Sequence, residues 1–178
     1  MTLAIVAALG AVLVAKLRGG SLDALAATNF RWVLFLVAGL SLQVGFGLWS
    51  PAWMNKAIAV AVVVASDVLV GAFVVANRKL AGMVTIGIGL ALNLLVIAAN
   101  GAMPVSPTAA RIAGAPAPGP HPDIKHERLG RATVLPLLAD VIPLPRIGEV
   151  MSVGDVVLAI GIGRLVYLRT TSGAGDAS

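Results

Sequence analysis

From Ala57 to Ala76 the chain carries one charged side chain, Asp67, in a run otherwise made of Ala, Val, Ile, Leu, Phe, Gly and Ser. About 20 such residues, coiled as a helix, cross the ~30 Å hydrocarbon core of a bilayer. The run 80–99 has no charge at all and a single amide, Asn93. The run 32–49 is also uncharged and has a tryptophan at each end, where an interfacial belt would place them. Two weaker runs complete the set. Residues 2–17 are apolar up to Lys16, and residues 153–168 contain both Asp155 and Arg164. Positive charge follows the first run and does not precede it, so it reads as an uncleaved span. The expected architecture is all-α: a polytopic membrane helix bundle of about five transmembrane helices, forming one membrane domain over 1–178.

Composition agrees. Only 12% of residues are charged and 58% are hydrophobic, whereas a water-soluble domain carries about 25% charged residues. An ordinary cytosolic enzyme is excluded. The formal charge of +5 forms no stripe that could follow a phosphate backbone, so no nucleic-acid partner is expected. The basic residues sit between the apolar runs. Lys16, Arg18 and Arg31 lie in the first connection, Arg78 and Lys79 in the third, and Lys56 alone in the second. Lys and Arg favour cytoplasmic loops. The N-terminus is thus expected outside the plasma membrane, the 100–152 loop outside, and the 169–178 tail in the cytoplasm.

Nine of the ten prolines fall between Pro104 and Pro145. Pro116, Pro118, Pro120 and Pro122 make a polyproline-like strip that suits a solvated linker. The segments 103–107 and 135–145 are different, because they set proline among Leu, Val, Ile and Met. Irregular backbone at membrane depth survives only when packed against protein or lining a wet cavity. These two segments are expected to fold back over the outer helix ends as a cap, with the prolines holding 136–145 extended. Ser106-Pro107 reads as an N-cap followed by proline at the first helical position, and Gly114 as the stop. Asp123 is expected to cap a second short helix, 124–129. Ser152-Val153-Gly154-Asp155 fits a capping box ahead of the last run.

Four blocks stand out together: Asn100-Gly101-Ala102-Met103-Pro104-Val105-Ser106, Lys125-His126, Leu138-Ala139-Asp140-Val141-Ile142-Pro143-Leu144-Pro145 and Ser152-Val153-Gly154-Asp155. In order and spacing the chain resembles a small bacterial integral-membrane family known only as domain of unknown function 5317. The resemblance extends over essentially the whole chain, with Ala102 and Ala139 standing where the family has glycine. It implies a multi-pass membrane protein with an unassigned role, and no reaction, cofactor or substrate.

The polar residues divide by place. Asp67 and Asn93 lie within spans. An acid at mid-bilayer costs ~2.5–3.5 kcal/mol, so Asp67 should face the bundle and find a partner such as Asn93 or Gln43, or else serve as a relay carboxyl. Asn100-Gly101 reads as a helix end and turn. Asn100, Met103, Ser106, Lys125, His126, Asp140, Ser152 and Asp155 are expected to form one polar cluster on the outer face. In that cluster Asp140 would be buried and met by Lys125, His126, Arg128, Arg131 or backbone amides near Met103 or Ser152. No metal is expected, since His121 and His126 lack the i, i+4 spacing that puts two imidazoles on one helix face. No cofactor is expected either, because nucleophile elbows, phosphate loops and cysteines are absent. Two functions remain open. One is a binding or accessory component whose partners are the bilayer, a lipid headgroup or another membrane protein. The alternative is an enzyme acting on a lipid or isoprenoid headgroup with Asp140 and His126 as acid and base.

Overall fold

A computed structural model describes residues 2–48, 55–115 and 126–171. The chain is mostly helical. The long helices are α1 (Thr2–Leu17), α3 (Val33–Leu48), α4 (Lys56–Ala76), α5 (Met83–Asn100) and α7 (Val153–Thr171), with short helices α2 (Leu22–Ala26) and α6 (Pro107–Ala113). Two of them, over Ala57–Ala76 and Met83–Asn100, are long and apolar enough to cross a membrane. Leu3–Leu17 and Val33–Phe46 are apolar but shorter. The helix at 153–171 carries Asp155, Arg164 and Arg169, so its apolar run is broken three times.

The helices stand in a row and not in chain order. α7 packs between α1 and α5, α5 packs between α7 and α4, and α3 closes the row against α4. Glycines set the closest contact. Gly82, the N-cap of α5, and Gly89 within it face Gly161 and Gly154 of α7 respectively. A methyl group at Gly89 would lie 2.6 Å from the Gly154 carbonyl oxygen, and one at Gly161 would lie 2.6 Å from the Ile86 amide nitrogen. Small residues let helix backbones approach this closely when apolar surface drives no association. The core beside this seam is Phe73, Val74, Met83, Ile86 and Leu165.

The expectation of an all-α chain is corrected in the 100–152 loop, which contains two small β-ladders. β1 (Met103–Val105) runs parallel to β2 (His126–Arg128), and β3 (Ile142–Leu144) is antiparallel to β4 (Glu149–Met151). The expected helix 124–129 is therefore a strand where it is described; its Asp123 cap and Lys125 lie outside the described residues, as do Trp49, His121 and the Pro116–Pro122 strip. Three-residue strands are too short to show an alternating pattern in the sequence, which is why the helix reading prevailed. Pro136 opens a single 3-10 turn, Pro136–Leu138, and does not extend the chain there. Pro143, by contrast, lies in strand β3. The α6 caps are as the sequence reads them: Ser106 Oγ accepts from the Ala109 amide, and Gly114 closes the helix at φ +71°.

Candidate functional site

β1 is the centre of the loop. All three of its residues are buried. β2 lines one edge. On the other edge Asp140 bridges to Val105, its amide donating to the Pro104 carbonyl (2.9 Å) and its carbonyl accepting from the Ser106 amide (2.9 Å). Pro104 fits this strand because the ladder asks only for its carbonyl there. The chain continues from Asp140 to Val141, whose amide donates to the Met151 carbonyl (3.1 Å), so the second ladder leads directly to Ser152 and the start of α7.

At that start a closed ring of hydrogen bonds joins α7 to α5. Ser152 Oγ accepts from the Asp155 amide (3.0 Å), and the Ser152 amide donates to Asp155 Oδ2 (3.1 Å), which is the reciprocal capping box the sequence implies. Asn93 extends the box across the seam. Its Nδ2 donates to Asp155 Oδ1 (2.8 Å), and its Oδ1 accepts from Ser152 Oγ (2.8 Å). The ring needs Gly154, since a Cβ there would collide with Asn93 Oδ1 and lie 2.8 Å from the Gly89 carbonyl oxygen. Both oxygens of Asp155 thus accept hydrogen bonds, and its charge sits at the positive end of the α7 dipole.

Asp140 has the opposite surroundings. It is 7% exposed, and among the described residues its Oδ1 is buried with no hydrogen-bond partner. Burial first, then the negative charge of Asp155, push its carboxyl up to about 7 from 3.8, with the chain's amino-terminal charge opposing them. Desolvation disfavours the ionised form, and a neighbouring acid adds to that. Both Asp155 oxygens accept hydrogen bonds, while Asp140 Oδ1 has no donor among the described residues.

The other expected site residues are dispersed around this pair. Met103 faces His126 across the β1–β2 ladder. His126 and Asp140 are therefore on opposite edges of β1 and two residues out of register. With strands ~4.8 Å apart and ~3.3 Å per residue, their backbones are roughly 11–12 Å apart. Ser106 is used in capping α6. Asn100 clamps a different stretch of the loop: its Oδ1 accepts from the Val134 amide (2.8 Å) and its Nδ2 donates to the Val134 carbonyl (3.0 Å). Asp67 is buried and accepts from Gln43 Nε2 (3.0 Å), so the amide that meets it comes from α3, and Asn93 serves α7 instead. Sequence reading did not single out Ser66, whose Oγ donates to the Gly39 carbonyl (2.9 Å) beside that pair. Nor did it single out Asn77, which bonds both the amide (2.9 Å) and the carbonyl (2.8 Å) of Arg31 at the end of the row away from the loop. An asparagine immediately after a long apolar run was the available signal for both clamps. Among the described residues no three His, Asp or Glu side chains gather as a metal cluster.

The model of a family of unknown function, DUF5317, matches residues 27–167, which takes in α3, the loop and most of α7. The chain belongs to that family. No curated protein and no solved structure matches it. In DUF5317 terms, the matched region contains the whole Asn93–Ser152–Asp155 ring, Asp140 and both asparagine clamps; α1, which packs along α7, precedes it.

Proposed function

We propose that this DUF5317 protein is a multi-pass plasma-membrane protein whose outer cap binds a partner, and that α1, α3, α4, α5 and α7 all span. Its helices leave their large apolar side chains uncovered: Leu9, Leu34, Leu48, Val68, Val84 and Ile160 are all at least 58% exposed. Apolar exposure on every long helix suits lipid and not water. Lys16, Arg18, Arg31, Arg78, Lys79 and Arg169 lie at the row's other end from the cap, which supports an outward N-terminus and an inward C-terminus. The observation that carries binding is the unpartnered Oδ1 of Asp140. A buried carboxylate oxygen without a donor loses several kcal/mol. A partner that supplies an N–H donor or positive charge, such as a lipid ammonium headgroup or a donor from another membrane protein, relieves that loss. The enzyme reading asks Asp140 and His126 to share a pocket, and their backbones, roughly 11–12 Å apart across β1, give it little support.

Two experiments test this. With no native cysteine, single cysteines report topology cleanly: in whole cells an impermeant thiol reagent should modify Ala132→Cys and spare Ala27→Cys. The reverse pattern overturns the orientation. For binding, added phosphatidylethanolamine should raise the melting temperature of detergent-purified protein more than phosphatidylcholine does, and Asp140→Asn should abolish the difference. An equal response in wild type and variant removes Asp140 from the site.

A further inference from the structure

One stretch of the cap turns its apolar side chains away from the protein. In 134–138, Val134 and Leu135 are exposed and Leu137 is 80% exposed, while Leu138 is half-buried and Ala139 fully buried. This projection is built and not left to a loose loop. Asn100, the last residue of α5, holds the Val134 backbone by both its amide and its carbonyl. Leu135 adopts φ +57°, ψ +49°, a left-handed conformation that leucine rarely takes. The strained residue reverses the chain into the 3-10 turn, where the Leu138 amide donates to the Leu135 carbonyl (3.0 Å). Strain of this kind persists where the surroundings over-determine it, and it accumulates at working sites.

We propose that Val134, Leu135 and Leu137 form an anchor that enters the outer leaflet of the bilayer. The inference rests on the reading that α5 spans. The 3-10 turn packs on the ends of α5 and α7, and Asn100 ties it to the top of α5. Leu95, exposed on α5, lies five residues below Asn100, or about 7.5 Å at 1.5 Å per residue. The anchor thus lies above the level of Leu95, at the ~5–10 Å depth where interfacial segments lie. Exposed Arg131 sits at the tip of the 130–133 turn just before it, and exposed Arg128 ends β2. Guanidinium groups beside an apolar projection match lipid phosphates above acyl chains. Phospholipid is therefore the occupant.

The test uses the cysteine-free chain in phosphatidylcholine–phosphatidylglycerol vesicles, with a fluorophore on Leu137→Cys, Leu95→Cys or Arg146→Cys. Brominated acyl chains should quench the label at 137 as they do at 95, with loss of the iodide quenching seen at 146. If 137 behaves like 146 while 95 is lipid-quenched, the anchor is overturned and the span stands. If 95 is itself open to iodide, the span reading fails and the anchor with it. A label at 137 shielded from both quenchers means that protein covers it, as a second copy would, and this also overturns the anchor.

Discussion

Two aspartates, Asp140 in the 100–152 loop and Asp155 at the start of α7, show how differently one side chain can be housed. Asp155 begins a helix, meets an asparagine from the neighbouring helix and a serine amide from its own cap, and has both oxygens engaged. Asp140 lies along a strand edge that its backbone pairs with, and its Oδ1 is buried without a donor among the described residues, near the charge of Asp155. The first arrangement gives both carboxyl oxygens a donor and ties two helices together. The second stores a deficit that a proton or a partner can fill. Burial and donors differ together: Asp155 is only partly buried and has a donor on each oxygen, whereas Asp140 is buried with Oδ1 unpartnered among the described residues.

The largest expected effect breaks the ring that makes Asp155 content. Gly154→Val sets side-chain atoms on Asn93 Oδ1, which can move only by giving up the ring, and against the Gly89 backbone, which cannot retreat. The cost should exceed the ~1–3 kcal/mol of ordinary overpacking, and size-exclusion chromatography in detergent should show loss of the monodisperse folded species. A normal profile with an unchanged melting temperature would mean that the α5–α7 contact is looser than described.

The next effect belongs to Asp140. Its folded pKa lies above its unfolded one, so its contribution is fully present below about pH 4 and is lost as pH rises through about 7. At about 1.4 kcal/mol per pKa unit the loss is at most about 4 kcal/mol. Melting temperature in detergent should fall across that window, and Asp140→Asn should flatten the profile. A variant as pH-sensitive as the wild type would place the titrating group elsewhere.

A smaller effect sharpens the contrast between the two acids. Asp155→Ala removes a cap worth ~1 kcal/mol and leaves the Asn93 amide without its acceptor, for a total of about 2 kcal/mol. It also removes the negative charge beside Asp140. The midpoint of the pH-dependent melting should then move to lower pH. A midpoint that stays in place would show that burial alone raises Asp140.

Much of this was legible where the signal is local. Ser106, Pro107 and Gly114 mark α6 from end to end, and the box from Ser152 to Asp155 can be read from four consecutive residues, because capping chemistry depends on neighbours in the chain. The apolar flanks of Asp140, with Leu137 and Leu138 before it and Val141 and Ile142 after it, announced its burial but not its lack of donors. What stayed hidden depends on which helix stands beside which. Gln43 and Asn93 are equally plausible partners for Asp67 in sequence, and only the order α3–α4–α5–α7 assigns one to Asp67 and the other to Asp155. The strand pairing of 103–105 with 126–128 was hidden for the same reason, since three residues carry no period. The hold of Asn100 on Val134 crosses a loop whose path the sequence does not encode locally.

The place of α7 in the row has a consequence for how the molecule is made. The ribosome delivers α1 first and α7 last, yet α7 is the main neighbour of α1 and stands between it and α5. At ~5–20 residues per second, α1 waits on the order of ten seconds before that neighbour emerges. During the interval the glycine face of α5 is open, and the loop has no Ser152 to close against Asn93. A chain released before residue 153 would retain the α3–α4–α5 half of the row and lose the footing of everything above it. The nineteen-residue α7 is thus the keystone of assembly, because α1 joins the row through it.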